Sequence, residues 1–215
     1  MYDGVARVYA DRWYWWRENS TFLGEHGSSP IFILDYDVNL NGYIDWRWAL
    51  VRFNLSALKG RIPTRVSGRF YINSFNLISG TGGSYSFRAS PNHVGITAPY
   101  EIPSQGKLLV EGSSVGWVTI PNTDASYFSF KKGYAGISIY SYVDNYSSGK
   151  SKELRIGIDT GLGGTNKPYL DVEYKYATPR PINQFPTSGF VNDKADSIFG
   201  WSIYADNIID TMAQG

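Results

Sequence analysis

The sequence predicts an all-β fold, a two-sheet antiparallel β-sandwich of jelly-roll type with a short C-terminal extension. Three observations carry this. Apolar residues alternate at period two in segments spread along the chain; 16% of residues are aromatic, with 23 glycines to mark turns; and no stretch carries a convincing helical pattern. The chain has 215 residues, 42% hydrophobic and 18% charged, which is enough to bury one main core.

The elements follow in order. Residues 5–9 and 30–34 are the first two short strand candidates, each bounded by Gly, Asn or Ser. The clearest strand spans 46–55, where Ala49, Val51, Phe53 and Leu55 share one face and Trp46, Trp48, Leu50 and Arg52 the other, so both faces carry apolar bulk. Residues 55–60 read as one helical turn at most. Strands are next expected at 65–75, 83–89, 107–111 and 117–120, separated by Gly, Pro, Asn or Ser clusters. A further one runs through Ala135, Ile137, Ile139 and Val143, with Tyr134, Ser138, Tyr140 and Tyr142 opposed. Residues 153–158 and the alternation Leu170, Val172, Tyr174, Tyr176 against Asp171, Glu173, Lys175 complete the set. Roughly ten short strands with this punctuation suggest a sandwich.

A boundary is expected at Thr178-Pro179-Arg180-Pro181, where proline breaks the ladder. The division is a β-sandwich module over 1–177, a Pro-rich linker over 178–186, and over 187–215 a C-terminal arm or the start of a further module. Residues 197–204 read as a strand, with a short helix over 198–212 as the alternative. Met1 is followed by Tyr-Asp-Gly-Val rather than by a basic and then apolar leader, so no signal peptide is expected, and no apolar run reaches membrane-spanning length. The net charge of +1, with both signs interspersed, speaks against a nucleic-acid partner. The absence of cysteine excludes disulfides and thiolate metal sites.

Ala10-Asp11, Arg52-Phe53-Asn54-Leu55-Ser56-Ala57-Leu58, Gly136-Ile137-Ser138-Ile139 and Lys167-Pro168-Tyr169-Leu170-Asp171-Val172-Glu173-Tyr174 occur in an order that resembles the DNRLRE-type modules. These carbohydrate-binding-module-like β-sandwiches belong to large bacterial and archaeal surface proteins and to phage tail proteins. The resemblance spans residues 5–176, is weak over 78–130, and implies a noncatalytic module, in some cases glycan-binding. The Trp201 segment is similar to the opening of a fibronectin-type-III-like module. No ligand residue is carried over from either resemblance.

Gly112-Ser113-Ser114-Val115-Gly116 has the spacing of a serine-nucleophile elbow, but both histidines, His26 and His93, precede it and its flanks read as strands, so a turn is expected. Gly80-Thr81-Gly82-Gly83 and Gly161-Leu162-Gly163-Gly164 lack the helix and lysine of a phosphate loop and read as hairpin loops. Asp37, Asn39, Asn41 and Asp45, with Gly42 at the sharp turn, have the oxygen spacing of the first half of a calcium loop. Trp48 stands where the bidentate carboxylate belongs, so the competing expectation is a polar Asn-Gly turn. Calcium is the one cofactor the sequence leaves open.

The aromatics are the remaining candidates. Trp13, Trp15 and Trp16 in the segment 11–18, and Trp46, Trp48, Tyr140, Tyr142 and Tyr146, which alternation sets on outward faces or rims, are the expected glycan- or protein-binding residues, since indole and phenol rings stack on the apolar face of a sugar. The competing reading places each in the core or at a subunit contact. No catalytic residue is assigned, because sequence spacing sets no two carboxylates across a cleft.

The expected function is that of a noncatalytic β-sandwich module in a large surface assembly. The leading form is a phage virion structural protein of the tail, baseplate or capsid appendage, partnered by copies of itself or other virion proteins and by cell-surface polysaccharide. The alternative is a carbohydrate-binding module of a secreted bacterial polysaccharide-degrading enzyme or a surface adhesin.

Overall fold

A computed structural model describes residues 4–17, 22–38, 44–90, 106–128, 130, 133–143, 152–163 and 165–176. The described chain is antiparallel β-structure joined into one network of eleven strands: β1 (Gly4–Arg17), β2 (Phe22–Glu25), β3 (Ile31–Val38), β4 (Ile44–Asn54), β5 (Arg61–Ser79), β6 (Gly83–Ala89), β7 (Leu108–Gly112), β8 (Gly116–Asp124), β9 (Tyr134–Val143), β10 (Lys152–Asp159) and β11 (Tyr169–Tyr176). Two short 3-10 turns are Ser56–Leu58 and Ala125–Tyr127, and Gly133 is also in 3-10 conformation just before β9. The expected linker and C-terminal arm lie outside the described residues.

The pairings fall into two groups, an arrangement compatible with two layers. In the first, β5 is the spine. Its residues 61–69 pair with β11 and its residues 72–79 with β10, while β8 takes residues 65–72. The residues pairing with β8 overlap those pairing with both other strands, so β8 lies on the opposite edge from β11 and β10. Outside β11 and β10 lie the first half of β1 and then β3. The second group runs β2, second half of β1, β4, β9, β6, β7. β1 changes group near Ala10, at an irregularity in its register with β4, and β4 also pairs briefly with β3. The hydrogen bonding therefore closes a circuit, β1–β11–β5–β10–β3–β4 and back to β1.

Alternation fills the space between the groups. Phe70 on β5 is fully buried and meets Trp13 of β1 at 6.3 Å, Phe53 of β4 at 6.1 Å and Phe87 of β6 at 4.8 Å between ring centroids. Val66, Ile72, Ile120, Ile156, Leu170 and Phe32 extend the core from the first group, and Val51, Ile137 and Ala89 from the second.

The segments that carry the family resemblance meet one another. Arg52 Nε and Nη2 donate to the Asp11 carboxylate at 3.1 and 2.7 Å, and the guanidinium lies 4.4 Å over the Tyr134 ring. The Ala10 amide donates to the Pro168 carbonyl at 3.0 Å, and Asn54 Oδ1 accepts from the Ser56 amide to start the 3-10 turn. These residues hold strands together, so their presence speaks to fold.

The structure corrects several expectations. β1 is much longer than residues 5–9, because the tryptophan-rich stretch continues it, and β2 was not foreseen. Residues 112–116 form the turn expected, between β7 and β8, with Gly116 at φ 114° and the Ser114 carbonyl accepting from Tyr85 Oη. The two glycine-rich segments are not hairpin loops. Residues 80–82 carry the chain from β5 to β6, which do not pair, and residues 161–163 begin the connection from β10 to β11, which share an edge of β5 without pairing.

Candidate functional site

Four of the eight expected aromatic ligand residues are core residues. Trp13, Trp16, Trp48 and Tyr140 are buried, which for Trp48 and Tyr140 corrects the expected outward placement. Trp16, Trp48 and Tyr140 stack in a ladder across β1, β4 and β9, each step 5.3 Å with ring planes within 16° and 19° of parallel, and burial pushes the Tyr140 hydroxyl pKa upward. The physical reason is that β4 and β9 are buried on both faces, so residues alternating away from the central core are still withdrawn from solvent. Trp15 is half-buried against His26 and Phe32, and the half-buried Tyr142 donates its hydroxyl to the Glu111 carboxylate. Trp46 pairs through its backbone with Tyr36, its side chain lying outside the description, as does the whole of Tyr146.

Of the calcium candidates, Asp37 and Asp45 face each other in register across β3 and β4, and Asp37 is exposed. Asn39 and Asn41 lie outside the described residues, as does the Asp45 side chain.

The exposed aromatic surface is elsewhere, on the solvent face of β1, β11, β5 and β8. Register sets its rows: Tyr9, Tyr169, Arg69 and Thr119 lie side by side, as do Arg7, Asp171 and Ser67, while Tyr71 is opposite Trp117. The intervening residues Val8, Leu170, Gly68 and Ile120 point the other way into the core, so alternation places every member of these rows outward. Trp117 and Tyr9 are each 44% exposed.

Cations and rings interleave on this face. Arg69 Cζ lies 4.8 Å from the Trp117 ring centroid, Arg7 Cζ 3.8 Å from Tyr169 and Lys167 Nζ 5.0 Å from Tyr9. Tyr71 meets Trp117 edge to face at 5.3 Å and 71°. Arg7 forks onto Asp171 with two bonds of 2.8 Å, and that hydrogen bonding raises the arginine pKa. Glu173 accepts from Asn122 Nδ2 at 3.1 Å, and Asn122 in turn takes both an Nε and an Nη2 bond from Arg65.

The same face holds a depression of about 150 Å³ lined by Ser67, Gly68, Arg69, Thr119, Ile120, Tyr169 and Asp171. It forms where the register of β5 against β8 shifts between Val66 and Gly68. A Cβ on Gly68 would come within 2.4 Å of the Tyr169 carbonyl oxygen, so glycine is what lets β5 and β11 approach here. The surface offers flat aromatic area, hydroxyls and a guanidinium in one shallow site. Asp171 is engaged by Arg7 and Glu173 by Asn122, so its carboxylates are used in positioning.

Sequence reading placed residues 117–120 and 170–176 on strands but did not select Trp117, Tyr169, Tyr9, Tyr71 or Arg69. The available sign was the alternation Trp117-x-Thr119 and Tyr169-x-Asp171-x-Glu173, and what it lacked was the pairing that sets these strands beside one another. Comparison of the chain with protein-family models and with curated proteins finds no match.

Proposed function

We propose that this chain is a noncatalytic β-sandwich module of a large surface assembly, a phage virion component of the tail, baseplate or capsid appendage, and that it binds cell-surface glycan through the face around Trp117. The observation that carries the glycan part is a strand face that exposes Trp117 and Tyr9 and holds a depression lined by Ser67, Arg69, Thr119, Tyr169 and Asp171. Such a surface stacks a sugar ring and satisfies its hydroxyls at little side-chain entropy cost. The DNRLRE-type resemblance supports the virion and surface-protein setting. A glycan array probed with the wild-type chain and with Trp117→Ala tests the binding: retention of a defined glycan class, lost in the variant, is expected. Light scattering on the purified chain tests the assembly part, for which a defined oligomer is expected and a monomer at all concentrations counts against it.

The same face also favours a second reading, a carbohydrate-binding module of a secreted polysaccharide-degrading enzyme or adhesin. A parent reading frame encoding an export signal and a catalytic domain would select it over the virion component.

A further inference from the structure

We propose that His26 is the trigger of an acid-released clasp: its neutral ring locks the β2–β3 connection to the start of the β10–β11 connection, and protonation opens that junction while the rest of the fold stays closed. The bonds of the clasp converge on one carbonyl. His26 Nε2 lies 3.2 Å from the Ser29 carbonyl oxygen, which also accepts from Thr160 Oγ1 at 2.9 Å. The Thr160 amide donates to the Pro30 carbonyl at 2.8 Å and its hydroxyl accepts from the Leu162 amide at 3.1 Å, so this buried threonine ties the two connections together. The clasp borders the exposed aromatic face. A Cβ on Gly161 would come within 2.4 Å of Lys167 Cγ, and Lys167 is the cation seated over Tyr9.

The surroundings of the ring make it a trigger. It is 8% exposed, with the Trp15 ring at 4.9 Å and the Phe32 ring at 5.0 Å between centroids. A carbonyl oxygen only accepts, so Nε2 carries the proton and Nδ1 is the bare nitrogen. That Nδ1 is buried and has no hydrogen-bond partner among the described residues. In the neutral ring this leaves a lone pair idle; in the imidazolium it leaves a charged N–H with nothing to receive it, which is far costlier. None of the described charged side chains on the elements packed against the ring bonds to it. Arg12 of β1 and Glu25 of β2 hold each other, Asp11 of β1 is held by Arg52, Asp35 of β3 takes Arg47 and Arg155, and Asp159 at the end of β10 accepts from Asn166. Withdrawing the charged ring from Trp15 and Phe32 into water relieves the cost, and it gives up the Ser29 bond. Desolvation accordingly lowers the His26 pKa below its ordinary 6.5.

The test is nuclear magnetic resonance on the full chain, labelled at backbone and imidazole nitrogens, from about pH 7.5 to about pH 5, with His93→Gln assigning the two imidazoles. Hydrogen exchange at the His26 and Thr160 amides, corrected for the intrinsic rate, is compared with the Leu55 amide, which bonds the Gly133 carbonyl outside the clasp. The expected result is the Nε2–H tautomer for neutral His26, and an opening constant at His26 and Thr160 that is flat above pH 6.5 and rises about tenfold per pH unit below it until the folded pKa is reached, with Leu55 unmoved. In His26→Gln the rise is expected to vanish. An Nδ1–H tautomer, unchanged protection at Thr160 across the range, or equal loosening at Leu55 each overturns the proposal on the wild-type chain alone, so it stays testable even if His26→Gln fails to fold. A folded His26→Gln that keeps the rise also overturns it.

Discussion

Replacing Phe70 by alanine tests the layering directly, because this one side chain on β5 touches rings on three strands of the other group. An aromatic side chain buries about 150–250 Å². Alanine keeps its own share of that area, so trimming forfeits about 3 kcal/mol, the upper end of the range of about 1.5–3 kcal/mol for fully burying a Phe side chain. A void left partly open adds about 1 kcal/mol, since Trp13, Phe53 and Phe87 are held on separate strands and cannot collapse together into the gap. The expected loss is therefore about 4 kcal/mol, inside the range of about 3–5 kcal/mol for buried Phe→Ala changes. For a domain of this size it lowers the melting temperature by about 8–16 °C. The assay is thermal and urea unfolding followed by near-ultraviolet circular dichroism, with Trp117→Ala as the reference, for which less than about 1 kcal/mol is expected because the indole is 44% exposed. A loss below about 1 kcal/mol in Phe70→Ala, or one equal to that of Trp117→Ala, would refute the placement of Phe70 between two layers.

Asp11→Ala removes the carboxylate that accepts both the Nε and the Nη2 bond of Arg52, whose side chain is 5% exposed, and is expected to cost about 2–4 kcal/mol by chemical denaturation, with Asp11→Asn losing less. Gly68→Ala forces its new Cβ against the Tyr169 carbonyl and should cost about 1–3 kcal/mol in the same assay; wild-type stability would show that β5 and β11 can part freely. Desolvation lowers the His26 pKa below its ordinary 6.5, outweighing the bond to the Ser29 carbonyl, so the unfolded chain takes up a proton before the folded one does. That contribution is intact above pH 6.5 and is lost as pH falls below 6.5 towards the folded pKa, and melting curves across pH 5–8 should show this slope shrinking in His26→Gln.

The strand content was legible because it rests on local pattern. β6 falls on its expected residues, β8, β9 and β11 contain the residues alternation selects, and β4 contains all of its own except Leu55, which caps the following 3-10 turn. The layering of side chains was less so. Trp48 and Tyr140 alternate away from Ala49 and Ile139, yet both members of each pair are buried, because strand period distinguishes two faces without telling whether either is wet. Trp13-Tyr14-Trp15-Trp16 shows the same limit, with Tyr14 fully buried between two buried or half-buried indoles. The candidate face was illegible for a different reason. It brings Tyr9, Arg69, Trp117 and Tyr169 together from four strands, and only long-range register decides that neighbourhood. Arg52 and Asp11 had been noticed for their order along the chain, and the structure shows what that order accomplishes.

The antiparallel pairing of β1 with β11 puts Gly4 opposite Tyr174, so the N-terminal end of β1 and the C-terminal end of β11 leave from the same pole. Tension applied between those ends meets the ladder edge-on and opens its bonds one after another, as a zip opens, instead of shearing all of them at once. A module strung into a larger chain in this way hangs from one attachment point like a pendant. It can swing the face that carries Trp117 outward at no cost to its fold, and it gives way early when the string is pulled hard.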